Sequence, residues 1–393
     1  MVMMNRREMA QMARTLGSVG VAEIVRECLE LGREGKPGGL KPEDFSLKDC
    51  AEALVENGAE WVRSMDPRRD ALMVTESSSA LDTTAFRNVT SQFLYSKLLE
   101  GYNGPENLFS RLIRTEPTRL RYERMRGVSG FGSEMPEVHE GMPFPMTELT
   151  EAYTETPLTT KRGEILGLTK ELVFFDQTGQ VLTRALQLGE KLIKDKERRI
   201  VRVLIGSVNN YSRNGTTYNT YLTTGAWIND HSNPLVDWTD IDQASLLFAD
   251  MRDPETNEPI EIMPRHLIVS PKRHHTARMI INSTEVQTNT QTAAIRTVAA
   301  NPVAGAYEIY KSIRMYQQLQ SELGLTAEQA AEYWFLGDVS KALTYMENWP
   351  LTPVQAPVNS EAEFNQDIIY RMKVSEMGVA AATEPRQMVR NKN

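Results

Sequence analysis

The stretch from Glu116 to Glu171 constrains the fold more than any other part of the chain. It is rich in Thr, Pro, Gly and charged residues, and its middle, Gly127 to Pro157, holds few bulky apolar side chains. Such a segment cannot build a core of its own, and a structureless loop of this length is foreign to a compact domain. The sequence therefore predicts a long two-stranded excursion that packs on neighbouring surfaces. Its returning strand is expected over Thr156 to Thr169, where Leu158, Thr160, Arg162, Glu164, Leu166 and Leu168 alternate with Thr159, Lys161, Gly163, Ile165 and Gly167. Both faces of that strand are mixed in polarity, as suits a ribbon lying on other subunits.

Asp176 or Thr178 then opens a long helix, with Val181, Leu182, Ala185, Leu188, Leu192, Ile193, Lys196, Ile200, Val203 and Leu204 at three- and four-residue steps, ending at Gly206. At about 1.5 Å per residue this helix is on the order of 40 Å long. Tyr211 to Trp227 has the composition of turns and short strands, and Asn214-Gly215-Thr216 reads as a turn rather than a glycosylation site, as Asn88-Val89-Thr90 is also not expected to be one. A helix from Asp242 to Met251 follows. Arg265 to Pro271 reads as a buried strand leading into a helix over Lys272 to Ile281. Tyr307 to Leu323 fits helix or strand, Thr326 to Glu332 a helix, Tyr333 to Asp338 a buried strand meeting a turn, and Asp367 to Glu376 a strand.

The amino-terminal region is helical in pieces. Asn5 to Gly32 predicts two short helices broken around Gly17 to Gly20, with Val21, Ile24, Val25, Cys28 and Leu31 on one face that needs a surface to dock against. A glycine-rich flexible link, Arg33 to Lys41, precedes a helix capped by Ser46, carrying Leu47, Cys50, Ala51, Leu54 and Val55 and ended near Gly58. After a weakly patterned stretch, Met65 to Asp82, another amphipathic helix is expected over Thr84 to Glu100. Residues up to about 100 read as an arm.

The totals narrow the function classes. The chain has 393 residues, 40% hydrophobic, 24% charged, with a formal net charge of -8, which argues against a chain built chiefly to grip a polyanion through a basic surface. Two cysteines, Cys28 and Cys50, support neither a disulfide framework nor a four-cysteine zinc site, and fit cytoplasmic assembly. No apolar run approaches the roughly 20 residues of a membrane-spanning helix, and Met1 to Gly20 lacks the apolar core of a signal peptide, so no membrane partner and no secretion are expected.

Little in the sequence carries catalytic chemistry. His266, His274 and His275, with Asp253, are the candidate zinc ligands, but their spacing matches no HExxH pattern and a basic, solvated helix start explains the same residues. No GxGxxG, GxxxxGK[ST] or GxSxG motif occurs. Glu137 and Glu140, around His139 in Pro136 to Gly141, lie in the ribbon and away from any preformed pocket. No catalytic, cofactor-binding or metal residue is assigned, and no cofactor is expected. Arg111, Arg114, Arg119, Arg121, Arg124 and Arg126 precede the ribbon tip, while Glu134, Glu137, Glu140, Glu148, Glu151 and Glu155 follow, an asymmetry that suggests ion pairing between strands or subunits, or simply a solvated charged ribbon.

Thr156 to Gly163 running into Leu168 to Glu171 and Phe174 to Gly179, Arg265 to Pro271, Phe335-Leu336-Gly337-Asp338-Val339-Ser340 and Ile368 to Glu376 together resemble major capsid proteins of tailed bacteriophages with the Hong Kong 97-type fold, over roughly residues 85 to 390. The junctions most resemble prophage-like capsid proteins, whose shell subunit follows or is fused to a maturation protease. The resemblance implies an α+β fold with these parts: an amino-terminal helical arm or extension (1–115), an extended β-hairpin loop (116–172), a peripheral domain with the long spine helix (173–240), an axial α/β domain (241–365) and a carboxy-terminal strand returning to the peripheral domain (366–393). It implies a non-enzymatic subunit assembling with itself, as hexamers and pentamers, into an icosahedral virion capsid formed in the host cytoplasm. The partners implied are portal, scaffold or decoration proteins, and double-stranded DNA held without sequence specificity. Some family members join a ribbon lysine to an asparagine of a neighbour. Lys161 is a ribbon lysine here, but it lies at the ribbon's base and Gly127 to Pro157 holds no lysine, so no such cross-link is expected. The alternatives are an encapsulin-like compartment and, more distantly, a metal-dependent hydrolase using the histidines.

Overall fold

The computed structural model describes residues 6–37, 39–44, 46–55, 58–64, 80–104, 107–126, 138–139, 142, 153–225, 227–253, 259–289, 296–356 and 368–392. The first helix, α1 (Arg6–Arg33), runs unbroken through Gly17 and Gly20, where the sequence predicted two helices. Each glycine costs a helix about 1 kcal/mol relative to alanine. The buried row Val21, Val25 and Leu29 outweighs that cost, because helix stability in a protein comes mainly from packing an apolar face. Helix α2 (Leu47–Leu54) starts as expected, with the Ser46 side chain accepting a hydrogen bond from the Asp49 amide. Gly58 does not end a helix but begins α3 (Gly58–Ser64), and a Cβ there would lie 2.5 Å from the Ala51 carbonyl oxygen. Helix α4 (Ala80–Tyr102) is longer than its pattern, and α5 (Phe109–Leu112) is a single turn whose Phe109 and Ser110 amides donate to Glu197 at 3.0 and 2.7 Å.

The middle of the chain carries β1 (Arg114–Pro117), β2 (Arg124–Arg126), β3 (Tyr153–Glu155) and β4 (Thr160–Thr169). After α6 (Lys170–Phe174) comes α7 (Thr178–Ile205), the long helix that the apolar spacing required, stopped at Gly206 with φ +73°. Then follow β5 (Tyr211–Arg213), β6 (Thr216–Tyr218), β7 (Asp230–Ser232) and α8 (Trp238–Ala249), which starts four residues before the expected helix because Asp237 and Asp240 form a capping box. The remainder comprises β8 (His266–Val269), α9 (His274–Asn282), β9 (Glu285–Asn289), β10 (Arg296–Ala300), β11 (Glu308–Lys311), α10 (Ile313–Leu323), α11 (Ala327–Glu332), β12 (Trp334–Gly337), α12 (Val339–Ala342), β13 (Leu343–Gln355), β14 (Ile368–Ala382) and β15 (Met388–Lys392). The fold is α+β.

Two compact units divide these elements. The first contains residues 1–107, 161–195 and 349–377. Its core joins Val21, Val25 and Leu29 of α1 with Leu47 and Leu54 of α2, Phe86 and Leu94 of α4, Val181 and Leu188 of α7, and Met372 and Val374 of β14. Two glycines let α4 and α7 touch backbone to backbone. A Cβ at Gly101 would sit 2.2 Å from the Leu186 carbonyl oxygen, and one at Gly189 would sit 2.1 Å from that of Leu98. At the amino end of α7, Thr178 accepts from the Leu47 amide at 2.9 Å and donates to Asp176 at 2.7 Å, while Ser46 donates to the same carboxylate at 3.1 Å. Asp176 adopts φ +48°, a left-handed conformation that asparagine and aspartate tolerate better than most residues. One carboxylate thus serves the caps of both α2 and α7.

The second unit contains residues 108–160, 196–348 and 378–393. Its centre is a five-stranded sheet in the order β11-β8-β12-β15-β7, with β11 parallel to β8, β12 antiparallel to both β8 and β15, and β7 parallel to β15. Every residue of β12 is buried, as the apolar run Trp334-Phe335-Leu336 implied. Gly337 has φ +151°, and a Cβ there would meet the Gln387 carbonyl oxygen at 2.1 Å, so the turn that follows needs glycine. Asp338 then caps α12 by accepting from the Ser340 amide at 3.1 Å.

Gly189→Ala should force α4 and α7 apart. The expected cost is about 1–3 kcal/mol of stability, the usual range for overpacking a close contact. Urea unfolding measures the loss, and hydrogen exchange should place the faster-exchanging amides in α4 and α7.

Candidate assembly surfaces

In the second unit the base of the ribbon is part of a four-stranded sheet, β2-β3-β5-β6. Arg126 pairs with Tyr153 across β2 and β3, which sets these two positions side by side at the base of the ribbon. Arg124 opposite Glu155 makes an ion pair at 2.9 Å, and its guanidinium lies 4.7 Å from the centre of the Tyr153 ring. Of the expected cross-strand pairings this one forms, while Arg114 pairs with Glu116 of its own strand at 2.5 Å. Glu134, Glu137, Glu140, Glu148 and Glu151, the side chain of Arg126, and the Pro136 to Gly141 motif apart from Val138 and His139 lie outside the described residues. Asn214 and Gly215, at φ +49° and +78°, form the turn between β5 and β6 that the sequence predicted. The Tyr153 amide donates to the Asn214 side chain and the Asn214 amide donates to the Tyr153 carbonyl, both at 3.0 Å, which fastens β3 to this hairpin.

Below that sheet the returning strand begins later than expected. Residues 156–159 are held by threonines instead: the Thr156 amide donates to the Glu123 carbonyl and the Thr159 amide to the Arg121 carbonyl, each at 2.9 Å. The Thr156 hydroxyl in turn accepts from the Glu123 amide at 2.9 Å. This arrangement leaves three large apolar side chains outward, Leu120 at 60%, Tyr122 at 49% and Leu158 at 55% exposure, among the exposed Arg119 and Arg121. Sequence patterning passed over this patch; the available signal was bulky apolar residues inside an otherwise polar stretch.

In the first unit the outward stripe of α7 carries Gln180, Thr183, Arg184, Gln187 and Lys191. Lys191 pairs with Glu164 of β4 at 2.6 Å and Arg162 with Asp195 at 3.4 Å, both exposed pairs of small energetic weight. Lys161 lies with its ammonium 5.6 Å from the centre of the Trp349 ring. Between α1 and α4 runs an open groove of about 270 Å³, bordered by Val19, Ala22, Glu23, Arg26, Ser91 and Gln92. Cys28 and Cys50 are both free; Cys50 is fully buried, which pushes its thiol up.

The candidate zinc ligands do not converge. His266 accepts from the Val339 amide through Nδ1 at 3.2 Å, with Asp338 3.9 Å away, so this nitrogen serves the start of α12. His274 and His275 begin α9 with ring centres 5.8 Å apart; burial, then Lys311 and Arg278, hold His274 below the ordinary histidine range. Asp253 is buried and acts on Arg386. Among the described residues no group of three His, Cys, Asp or Glu side chains is placed to hold a metal ion.

Buried charge concentrates instead around β15. Arg386 binds Glu384 through two hydrogen bonds at 2.6 and 3.0 Å, and Arg390 and Lys392 both reach Asp230 at 2.8 Å. Burial alone would raise the Asp230 carboxyl, but the hydrogen bonds from Arg390 and Lys392 outweigh it and the group sits below the ordinary aspartate value. A depressed carboxyl contributes stability that is present above the unfolded value, about 3.9, and lost as pH falls through the folded one. Asp230→Asn should therefore lower the stability of the chain at pH 7, and the gap from wild type should close below about pH 4, as read by denaturant unfolding across pH.

Residues 152–391 match the family model of the phage capsid protein. The chain belongs to this family and is a capsid shell protein. No curated protein matches it. Among solved structures, the capsid of a native GTA particle is 9% identical over 74% of this chain and 90% of its own, with a TM-score of 0.44. The holo-SrpI encapsulin complex from Synechococcus elongatus PCC 7942 is 11% identical over 74% and 87%, with a TM-score of 0.40. Gordonia phage Cozz is 11% identical over 73% and 86%, with a TM-score of 0.40.

Proposed function

We propose that this chain is the head subunit of a tailed bacteriophage, closing with its own copies, as hexamers and pentamers, into an icosahedral shell around double-stranded DNA. The observation that supports this reading is the antiparallel pairing of Arg124 to Arg126 with Tyr153 to Glu155, the register expected at the base of a long ribbon. A closed shell needs rigid bodies joined by segments that adapt to slightly different angles. The two units supply the bodies, and the ribbon supplies the adaptable link.

In this reading residues 1–115 form the arm, 116–172 the extended loop, 173–240 a peripheral domain, 241–365 an axial domain, and 366–393 the return. The ribbon lies across α7 of an adjacent subunit. Residues 127–157 hold glutamates but no lysine or arginine, and the outward stripe of α7 offers Arg184 and Lys191. Portal, scaffold or decoration proteins would complete the head in the host cytoplasm.

Electron microscopy of the purified protein, expressed alone, should show closed shells, tubes or capsomer rings, and particles from the native source should contain DNA. Shells filled with a protein cargo instead would assign the chain to a cellular compartment. Deleting residues 127–150 should leave folded subunits that sediment as small oligomers and close no shells; normal heads from that deletion would refute the role of the ribbon.

A further inference from the structure

The patch at the ribbon base is built to be covered. Leu120, Tyr122 and Leu158 stand out from a backbone that is already fixed: the Thr118 amide donates to the Glu347 carbonyl at 2.9 Å, Asn348 donates to the Leu120 carbonyl at 2.8 Å, and Thr159 holds Arg121. Ordering this surface on binding costs little, because its conformation is set before a partner arrives. Tyrosine and arginine are enriched in binding hot spots, and exposed apolar side chains gathered in a patch mark interaction surfaces. Its charge is positive, from Arg119 and Arg121.

A surface of complementary charge and apolar character lies on α1. Leu16 and Val19 are 54% and 64% exposed, and the same stripe continues through Glu23 and Glu27, both exposed, at the three- and four-residue steps that share one helix face. Arg26 beside them pairs with Glu30 at 4.0 Å, which leaves the stripe acidic. Two apolar side chains followed by two carboxylates face outward on a helix whose opposite row, Val21, Val25 and Leu29, is buried. The exposed apolar positions on α9 and α10, Met279 and Ile313, stand next to Arg278 and Arg314 and would bring like charge to the patch.

We propose that the ribbon-base patch of one copy, Leu120, Tyr122, Leu158, Arg119 and Arg121, binds the outer stripe of α1 from a second copy, with Leu16 and Val19 on the apolar trio and Glu23 and Glu27 on the arginines. This contact rests on the reading of the chain as a self-assembling shell subunit, and it names the surface that receives the arm. It links subunits through a helix from the first unit and a loop from the second, independently of where residues 127–152 lie.

Two proteins with one accessible cysteine each, Val19→Cys and Leu158→Cys in a Cys28→Ser background where Cys50 stays buried, test it when mixed before assembly and gently oxidised. Electrophoresis without reductant should show a disulfide-linked dimer from the mixture and none from either protein alone, with closed shells in the microscope. Shells without the dimer would overturn the contact and leave the shell reading intact; neither shells nor dimer, with wild type also forming none, would overturn both. Charge reversal provides a second measure. Arg119→Glu with Arg121→Glu, and separately Glu23→Arg with Glu27→Arg, should each lower shell yield on the order of tenfold, because like charges then face each other. Mixing the two reversed proteins should restore yield at that contact, and no restoration would count against the pairing.

Discussion

The approach of α4 to α7 at Gly101 and Gly189 is the constraint on which the first unit depends. With no Cβ on either glycine, the helices meet at backbone distance, and the larger side chains on either side, Phe86, Leu94, Leu98, Val181, Ala185 and Leu188, close over the contact. Packing at this density tolerates little change in volume, so the position of α7 relative to α4 is set by shape rather than by charge. The shared carboxylate of Asp176 then fixes where α7 begins and where α2 docks, through Ser46 and Thr178. A shell subunit needs this kind of rigidity in its body, because errors in angle accumulate around a closed surface.

Apolar residues are divided between two cores, each complete within its unit, while the charged residues divide by role. Exposed pairs such as Lys191 with Glu164 contribute little to stability. The buried pairs around β15, Arg386 with Glu384 and Arg390 with Asp230, are costly to break, since losing one partner strands a charge in the interior. The chain is acidic overall, yet Arg119 and Arg121 stand exposed at the ribbon base. Net charge therefore describes solubility, and the local arrangement describes contacts.

Much of this was legible in the sequence because its signals are periodic. The apolar steps from Val181 to Leu204, the stop at Gly206, the buried run Trp334 to Leu336 and the Asn214-Gly215 turn each have one local solution, and the structure adopts it. What escaped was decided by tertiary packing. Gly17 and Gly20 read as breakers, yet α1 continues through them because its buried row has partners. No periodic signal marks the length of β13; its stretch from Asn348 to Pro353 contains two prolines, which argue against a strand unless pairing elsewhere holds it. The histidines near residue 270 stand together in sequence, but His266 lies in β8 and accepts from the amide that opens α12, while His274 and His275 start α9. The patch at Leu120, Tyr122 and Leu158 depends on threonine hydrogen bonds that no periodicity encodes.

The place of β15 has a consequence for synthesis. It follows every other described strand along the chain, yet it sits inside the five-stranded sheet between β12 and β7. While the chain is being made at about 5–20 residues per second, that slot stays open. The second unit cannot close its sheet until residues 388–392 have emerged, and a product cut short before them keeps two unpaired strand edges. Closure of this sheet thereby waits on the last of its strands to be made, since β12 and β7 meet only through β15.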